Sequence, residues 1–111
     1  MNYWIIPALV KFETMSKEKK TELIIEKVLY CTNITEEELM SKCRKLEIVR
    51  ARQLVSYFLY NLAEMGVTKI GDRLKKHHST VLYAKSKIQD YMFTEPEFKK
   101  FVLELEKKIM E

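Results

Sequence analysis

From residue 16 onward, apolar residues recur at intervals of three and four, the spacing that lines one face of an α-helix. Ile24, Val28 and Cys31 form the first stripe, and it predicts a helix with Ser16 as N-cap that runs to about Cys31. Thr35-Glu36-Glu37-Glu38 has the form of a capping box and opens a short helix through Leu39 and Met40. Ile48, Val55, Leu59 and Leu62 mark the longest helix, Glu47 to Met65, with Gly66 suited to the C′ position that ends it. Ile70 and Leu74 share a face of a short helix from about Thr68 to Lys75, and Val81, Ala84 and Ile88 face inward on a helix from about His78 to Met92. Thr94-Glu95-Pro96-Glu97 is a second capping box, with proline in the first turn, and the helix it opens turns Phe98, Phe101, Leu105 and Ile109 inward. Residues 1–15 break the pattern. Pro7 keeps Ile6 out of helical geometry, so this segment reads as an extended apolar arm, packed on the core or docked on a partner.

The expectation is an all-α fold: a compact domain of about six helices over residues 16–111, preceded by the arm. A length of 111 residues fits one small core, and 47% hydrophobic content is too high for a disordered tail. Two glycines and two prolines are too few for a turn-rich β-sandwich. Gly66 and Gly71 alone cannot write either glycine-rich phosphate loop, which excludes that mode of nucleotide binding. The longest apolar stretch, Tyr3 to Val10, is interrupted by Pro7 and falls well short of the roughly 20 residues that span a bilayer. No basic region precedes it and no small-residue cleavage site follows, so Cys31 and Cys43 read as cytoplasmic thiols.

Charge adds a functional direction. Lys42 to Tyr91 holds eleven Lys and Arg against Glu47, Glu64, Asp72 and Asp90, whereas the flanks are net acidic. A basic middle between acidic ends points to a polyanionic partner, the alternative being a solvated face with chance clustering.

Two helices over residues 68–75 and 78–92, joined by a tight turn and preceded by a long helix, have the outline of a helix-turn-helix. In such units the first residues of the second helix reach base edges in the major groove. The motifs here are Arg50-Ala51-Arg52-Gln53-Leu54, then Ile70-Gly71, then His78-Ser79-Thr80-Val81-Leu82-Tyr83-Ala84. Together, in this order and spacing, they resemble the C-terminal DNA-binding domain of the bacterial replication initiator DnaA. The resemblance covers roughly residues 20–92 and includes a basic loop, Ser41-Lys42-Cys43-Arg44-Lys45. It implies a Trp-repressor-like helix-turn-helix and sequence-specific binding of double-stranded DNA.

Carried over by position, the resemblance makes His78, Ser79 and Thr80 the major-groove readers, with Arg52 and Gln53 as contacts from the long helix and Arg44 entering the minor groove. Tyr83 joins them among the polar-tipped residues at the start of the reading helix, Lys75, Lys76, Lys85 and Lys87 surround them for phosphates, and Lys42 and Lys45 stand in the basic loop. An arginine suits the negative potential of a narrow minor groove, and short hydroxyl side chains approach base edges closely. Each residue also has a plainer reading: Arg52 in a salt bridge, Ser79 as a helix cap, His78 as a packed or capping histidine. Two positions depart from the family pattern. His77 stands where aspartate is usual, and Lys75-Lys76 makes the turn basic where glycine is common. His77 is then either a base contact that alters the preferred site or a residue that merely lines the turn.

No ATPase module falls within the resemblance, so the expectation is a free-standing reader of bacterial, phage or mobile-element origin. Its place would be cytoplasmic and nucleoid-associated, in replication or transcription control, without cofactor. The competing expectation is a helical adaptor that binds a replication protein through Tyr3, Trp4, Ile5, Phe12, Tyr57, Phe58 or Tyr60. Catalysis and metal binding have little support. His77 and His78 are helix neighbours that point about 100° apart, no third ligand stands at metal spacing, and Cys43 has no identifiable base.

Overall fold

The computed structural model describes residues 12–111, which form six helices of eight residues or more or, in one case, five, with no strand among them. α1 spans Lys17–Thr32, α2 Glu36–Met40, α3 Leu46–Asn61, α4 Val67–Leu74, α5 His78–Thr94 and α6 Pro96–Met110. Residues 1–11 of the expected arm, with Tyr3, Trp4 and Ile5, lie outside the described residues. Residues 12–14 are helical rather than extended: the Met15 N–H returns to the Phe12 carbonyl at 3.1 Å, and Phe12 is buried in the core.

α3 is the hub. It packs against α1, α2, α4 and α5, and its Leu54, Val55, Phe58 and Leu59 are fully buried. Two of the candidate adaptor anchors, Phe12 and Phe58, are therefore core residues, while Tyr57 is half-buried and Tyr60 lies beneath the Lys85 ammonium. α6 closes the other side of the core by packing on α1 and α5.

The caps explain where several elements begin. The Ser16 hydroxyl accepts the Lys19 N–H, and Thr35 with Glu38 forms the anticipated reciprocal capping box. The later boundaries differ from expectation. α3 ends at Asn61, the left-handed residue after it is Glu64 (φ 54°), and Gly66 (φ −70°) is the N-cap of α4 instead of a C′ glycine. The apolar rhythm runs past the helix because its connecting loop folds back inward. Ala63 is buried, and the Met65 sulfur accepts a hydrogen bond from the Thr21 hydroxyl. Thr94 likewise caps nothing: its hydroxyl donates to the Asp90 carbonyl within α5, and Pro96 starts α6 without a side-chain cap. The buried stripe of α6 is Val102, Leu105 and Ile109, while Phe98 and Phe101, like Cys31 and Leu62 elsewhere, sit at the rim.

Two arginines join elements far apart in sequence. Arg50 pairs with Glu95 at 3.2 Å and lies over the rings of Tyr91 and Phe98, tying α3 to the α5–α6 corner. Arg73 on α4 bridges Glu22 of α1 and Glu36 of α2.

The turn between α4 and α5 is the tightest feature. Lys75 adopts a left-handed conformation (φ 57°), and the Lys76 N–H returns to the Gly71 carbonyl at 2.8 Å. A Cβ at position 71 would stand 2.5 Å from the Lys76 carbonyl oxygen, so the backbone passes there only because residue 71 is glycine. Gly71→Ala is expected to lower stability by about 1–3 kcal/mol. Gly66→Ala, with nothing within 4 Å, should change it by less than about 1 kcal/mol. Urea denaturation of the two variants beside the parent checks this.

Candidate nucleic-acid interface

α4, its tight turn and α5 form the helix-turn-helix. Val81, Ala84 and Ile88 hold α5 to the core, which leaves the opposite face of its first turns open. His77, His78, Ser79 and Thr80 are all exposed there, and Tyr83 is 59% exposed. His77 is the N-cap of α5. Its Nδ1 accepts the Ser79 backbone N–H at 3.1 Å and lies 2.8 Å from Ser79 Oγ; because His77 is outside the helix, its ring does not point away from His78 as expected of helix neighbours but stacks on it at 4.1 Å between centroids. The capping role thus falls to His77 and to neither Ser79 nor His78. An aspartate at this position, the residue usual in the family pattern, is itself a favoured N-cap, and that was the available signal.

The loop between α2 and α3 is built from the inside. Arg52, on α3, donates from Nε to the Leu39 carbonyl at 2.8 Å and from Nη2 to the Ser41 carbonyl at 2.6 Å. Nη2 also reaches the Glu38 carbonyl and the Ser41 hydroxyl. One guanidinium therefore satisfies carbonyls left open at the end of α2, as a cation near a helix C-terminus should. Lys76, from the helix-turn-helix turn, also points its Nζ at the Ser41 carbonyl, 3.4 Å away. The basic loop and the turn before α5 are thereby brought side by side.

Between them lies a groove lined by Lys42, Arg44, Arg52, Gln53, Ser56, Lys76, Thr80 and Tyr83, together with apolar residues of α3, α4 and α5. Among the described residues, no carboxylate lines it. Loss of solvation holds the Lys76 ammonium below its ordinary value of 10.5, and repulsion from Arg52 and Lys42 adds to this. Gln53 is buried in the floor, its Oε1 without a hydrogen-bond partner among the described residues. Such a cluster of cations is suited to an anion that enters from solvent, while Gln53 Oε1 is open to a donor group on the same partner.

Most of the residues singled out by sequence meet in this region. Lys42, Arg44, Arg52, Gln53, Lys76, Thr80 and Tyr83 line the groove, and His77, His78 and Ser79 stand at its edge on the leading turn of α5. Lys45 is exposed at the start of α3. Lys87 is placed differently, half-buried with its ammonium 5.3 Å from the Tyr91 ring and 6.0 Å from that of Tyr83. Ser41 and Ser56 were not anticipated. Ser41 contributes through its carbonyl, which every residue has, and Ser56 lies one turn beyond Arg52 on the face of α3 that faces the groove.

The chain matches the family described as the bacterial DnaA protein helix-turn-helix over residues 21–88, which includes α2 to α4 and most of α1 and α5. It is also similar to several proteins described as chromosomal replication initiator protein DnaA. That of Flavobacterium psychrophilum is 36% identical over 74 residues, covering 66% of this chain and 16% of the relative. That of Spiroplasma citri is 37% identical over 78 residues, 69% of this chain and 17% of the relative. That of Caldanaerobacter subterraneus is 31% identical over 94 residues, 85% of this chain and 21% of the relative. The chain thus spans about a fifth of the length of these relatives. With a family match over more than half of its length, and the helix-turn-helix in place at α4 and α5, the chain belongs to the bacterial DnaA helix-turn-helix family, and that membership supports DNA binding in general.

Proposed function

We propose that this protein binds double-stranded DNA in a sequence-specific manner, with α5 in the major groove and the basic loop at the adjacent minor groove. The observation that carries this reading is the carboxylate-free groove between the loop and the helix-turn-helix, flanked by the exposed polar turn His77 to Thr80. His78, Ser79 and Thr80 are the base readers. Arg44 supplies the minor-groove contact, and Lys42, Lys45 and Lys76 meet phosphates, with Lys87 at the margin. Gln53 and Arg52 form the base of the groove, and Arg52 acts on DNA mainly through the loop that it braces. Tyr83 offers its ring and hydroxyl beside the readers. Similarity to replication initiators supports a role in replication or transcription control, at the nucleoid in the cytoplasm.

The test is binding of labelled duplex, selected from a random pool, across a series of salt concentrations. Each phosphate neutralised should contribute about 0.9 to the slope of log affinity against log salt. Lys76→Gln should reduce that slope by about 0.9. Because the folded environment lowers the Lys76 pKa, its charge opposes folding slightly at neutral pH, and the variant should be no less stable than the parent in urea. Binding that is indifferent to salt would exclude the reading.

Arg52→Lys keeps the charge but not the fork that spans the carbonyls of Leu39 and Ser41. It is expected to weaken specific binding by about tenfold. An unchanged affinity, measured by fluorescence anisotropy, would show that the loop needs no brace.

A further inference from the structure

The Ser79 backbone N–H can only donate, and it points at His77 Nδ1 from 3.1 Å. Nδ1 must then carry the lone pair, and in a neutral ring the proton sits on Nε2. Ser79 Oγ is 2.8 Å from the same Nδ1. With no proton on Nδ1, that contact is favourable only if the Ser79 hydroxyl donates to it. The hydroxyl proton is thereby occupied, and what Ser79 Oγ presents to solvent is lone pairs. Stacking on His78, with the rings inclined by 34°, helps fix the plane of the imidazole that enforces this.

A free serine hydroxyl rotates to suit either a donor or an acceptor, and so discriminates poorly among base edges. We propose that His77 is a positioning residue which turns Ser79 into an acceptor-only reader, selecting a base that offers an exocyclic amine in the major groove, adenine N6 or cytosine N4. The inference rests on the DNA reading above and deepens it. Guanine O6 and N7 and thymine O4 are acceptors, and facing Ser79 Oγ they meet lone pairs with lone pairs. His77 Nε2–H remains a separate outward donor, available to a phosphate or a base acceptor. Aspartate at this position would serve the same two Ser79 donors with its carboxylate, so the substitution that distinguishes this chain from the family pattern preserves the orientation of Ser79.

The experiment deletes single amines from the DNA. In the duplex selected by the parent protein, each major-groove adenine is replaced by purine and each cytosine by 2-pyrimidinone, one at a time. Affinities are then measured for the parent, Ser79→Ala, His77→Ala and His77→Asp, with circular dichroism confirming helix content. One deletion is expected to cost the parent and His77→Asp about fivefold to tenfold. Ser79→Ala should be indifferent at that position, and His77→Ala nearly so, while both keep their preferences elsewhere. A merely structural cap would lower affinity for all of these duplexes alike. Equal sensitivity of His77→Ala and the parent to every deletion would overturn the proposal, as would the absence of any deletion whose cost depends on Ser79. Should His77→Ala fail to fold, the tautomer of the free parent decides. Long-range nitrogen–proton NMR above neutral pH must show the His77 proton on Nε2, and a proton on Nδ1 would overturn the inference. Failure of the DNA reading itself looks different: no sequence emerges from the pool, although the His77 tautomer is as expected.

Discussion

The guanidinium of Arg52 reaches from the central helix to the end of α2 and gathers the carbonyls of Leu39 and Ser41, with Glu38 at its edge. Without that guanidinium the Leu39 carbonyl would lose its donor, at a cost of about 1–3 kcal/mol, whereas the Glu38 and Ser41 carbonyls would keep their bonds from Ser41 and Lys76. Because α3 also packs against α5, the same side chain fixes the basic loop relative to the helix that would read DNA. Lys76 reinforces the link from the opposite side by directing its ammonium at the Ser41 carbonyl. The distance between loop and recognition helix is thus set by α3 and by hydrogen bonds to main chain, not by the flexible side chains at the rim.

This arrangement concentrates like charge. Lys42, Arg52 and Lys76 share one groove without a carboxylate, and Lys76 registers the cost as a pKa lowered by desolvation and by its two cationic neighbours. The acidic residues that balance arginines elsewhere serve the scaffold: Glu95 for Arg50, and Glu22 with Glu36 for Arg73. The scaffold's arginines are paired with carboxylates, whereas Arg52 and Lys76 in the groove have only uncharged acceptors, the main chain and the Ser41 hydroxyl. A phosphate group placed in the groove would relieve that repulsion.

How far the sequence could be read depended on which side of each interaction it prints. The helices of the core were legible because Ile24, Val28, Val55, Leu59, Ile70 and Ile88 keep helical spacing and all are buried. The end of α3 was not, since Ala63 and Met65 continue the apolar rhythm through a loop that folds back on the core. The cations of the site showed in the local charge, and the motif resemblance placed the readers near one another. The brace by Arg52 left no trace, because its acceptors are main-chain carbonyls. The cap by His77 was legible only through the family pattern, where a favoured N-cap, aspartate, stands at this position; histidine itself is an uncommon N-cap. The span from Arg50 to Glu95, 45 residues apart, likewise needs the fold before the pair exists.

The proposed DNA-binding face consists of the basic loop and the leading turn of α5. Its most direct test is a titration of isotope-labelled protein with a selected duplex, followed by amide chemical shifts. The largest changes are expected at Ser41 to Lys45 and at Lys75 to Tyr83, with little change around Tyr30, Phe101 and Lys108, which line a separate hollow between α1 and α6. Shifts centred on that α1–α6 side, with the loop and the recognition turn unmoved, would contradict it.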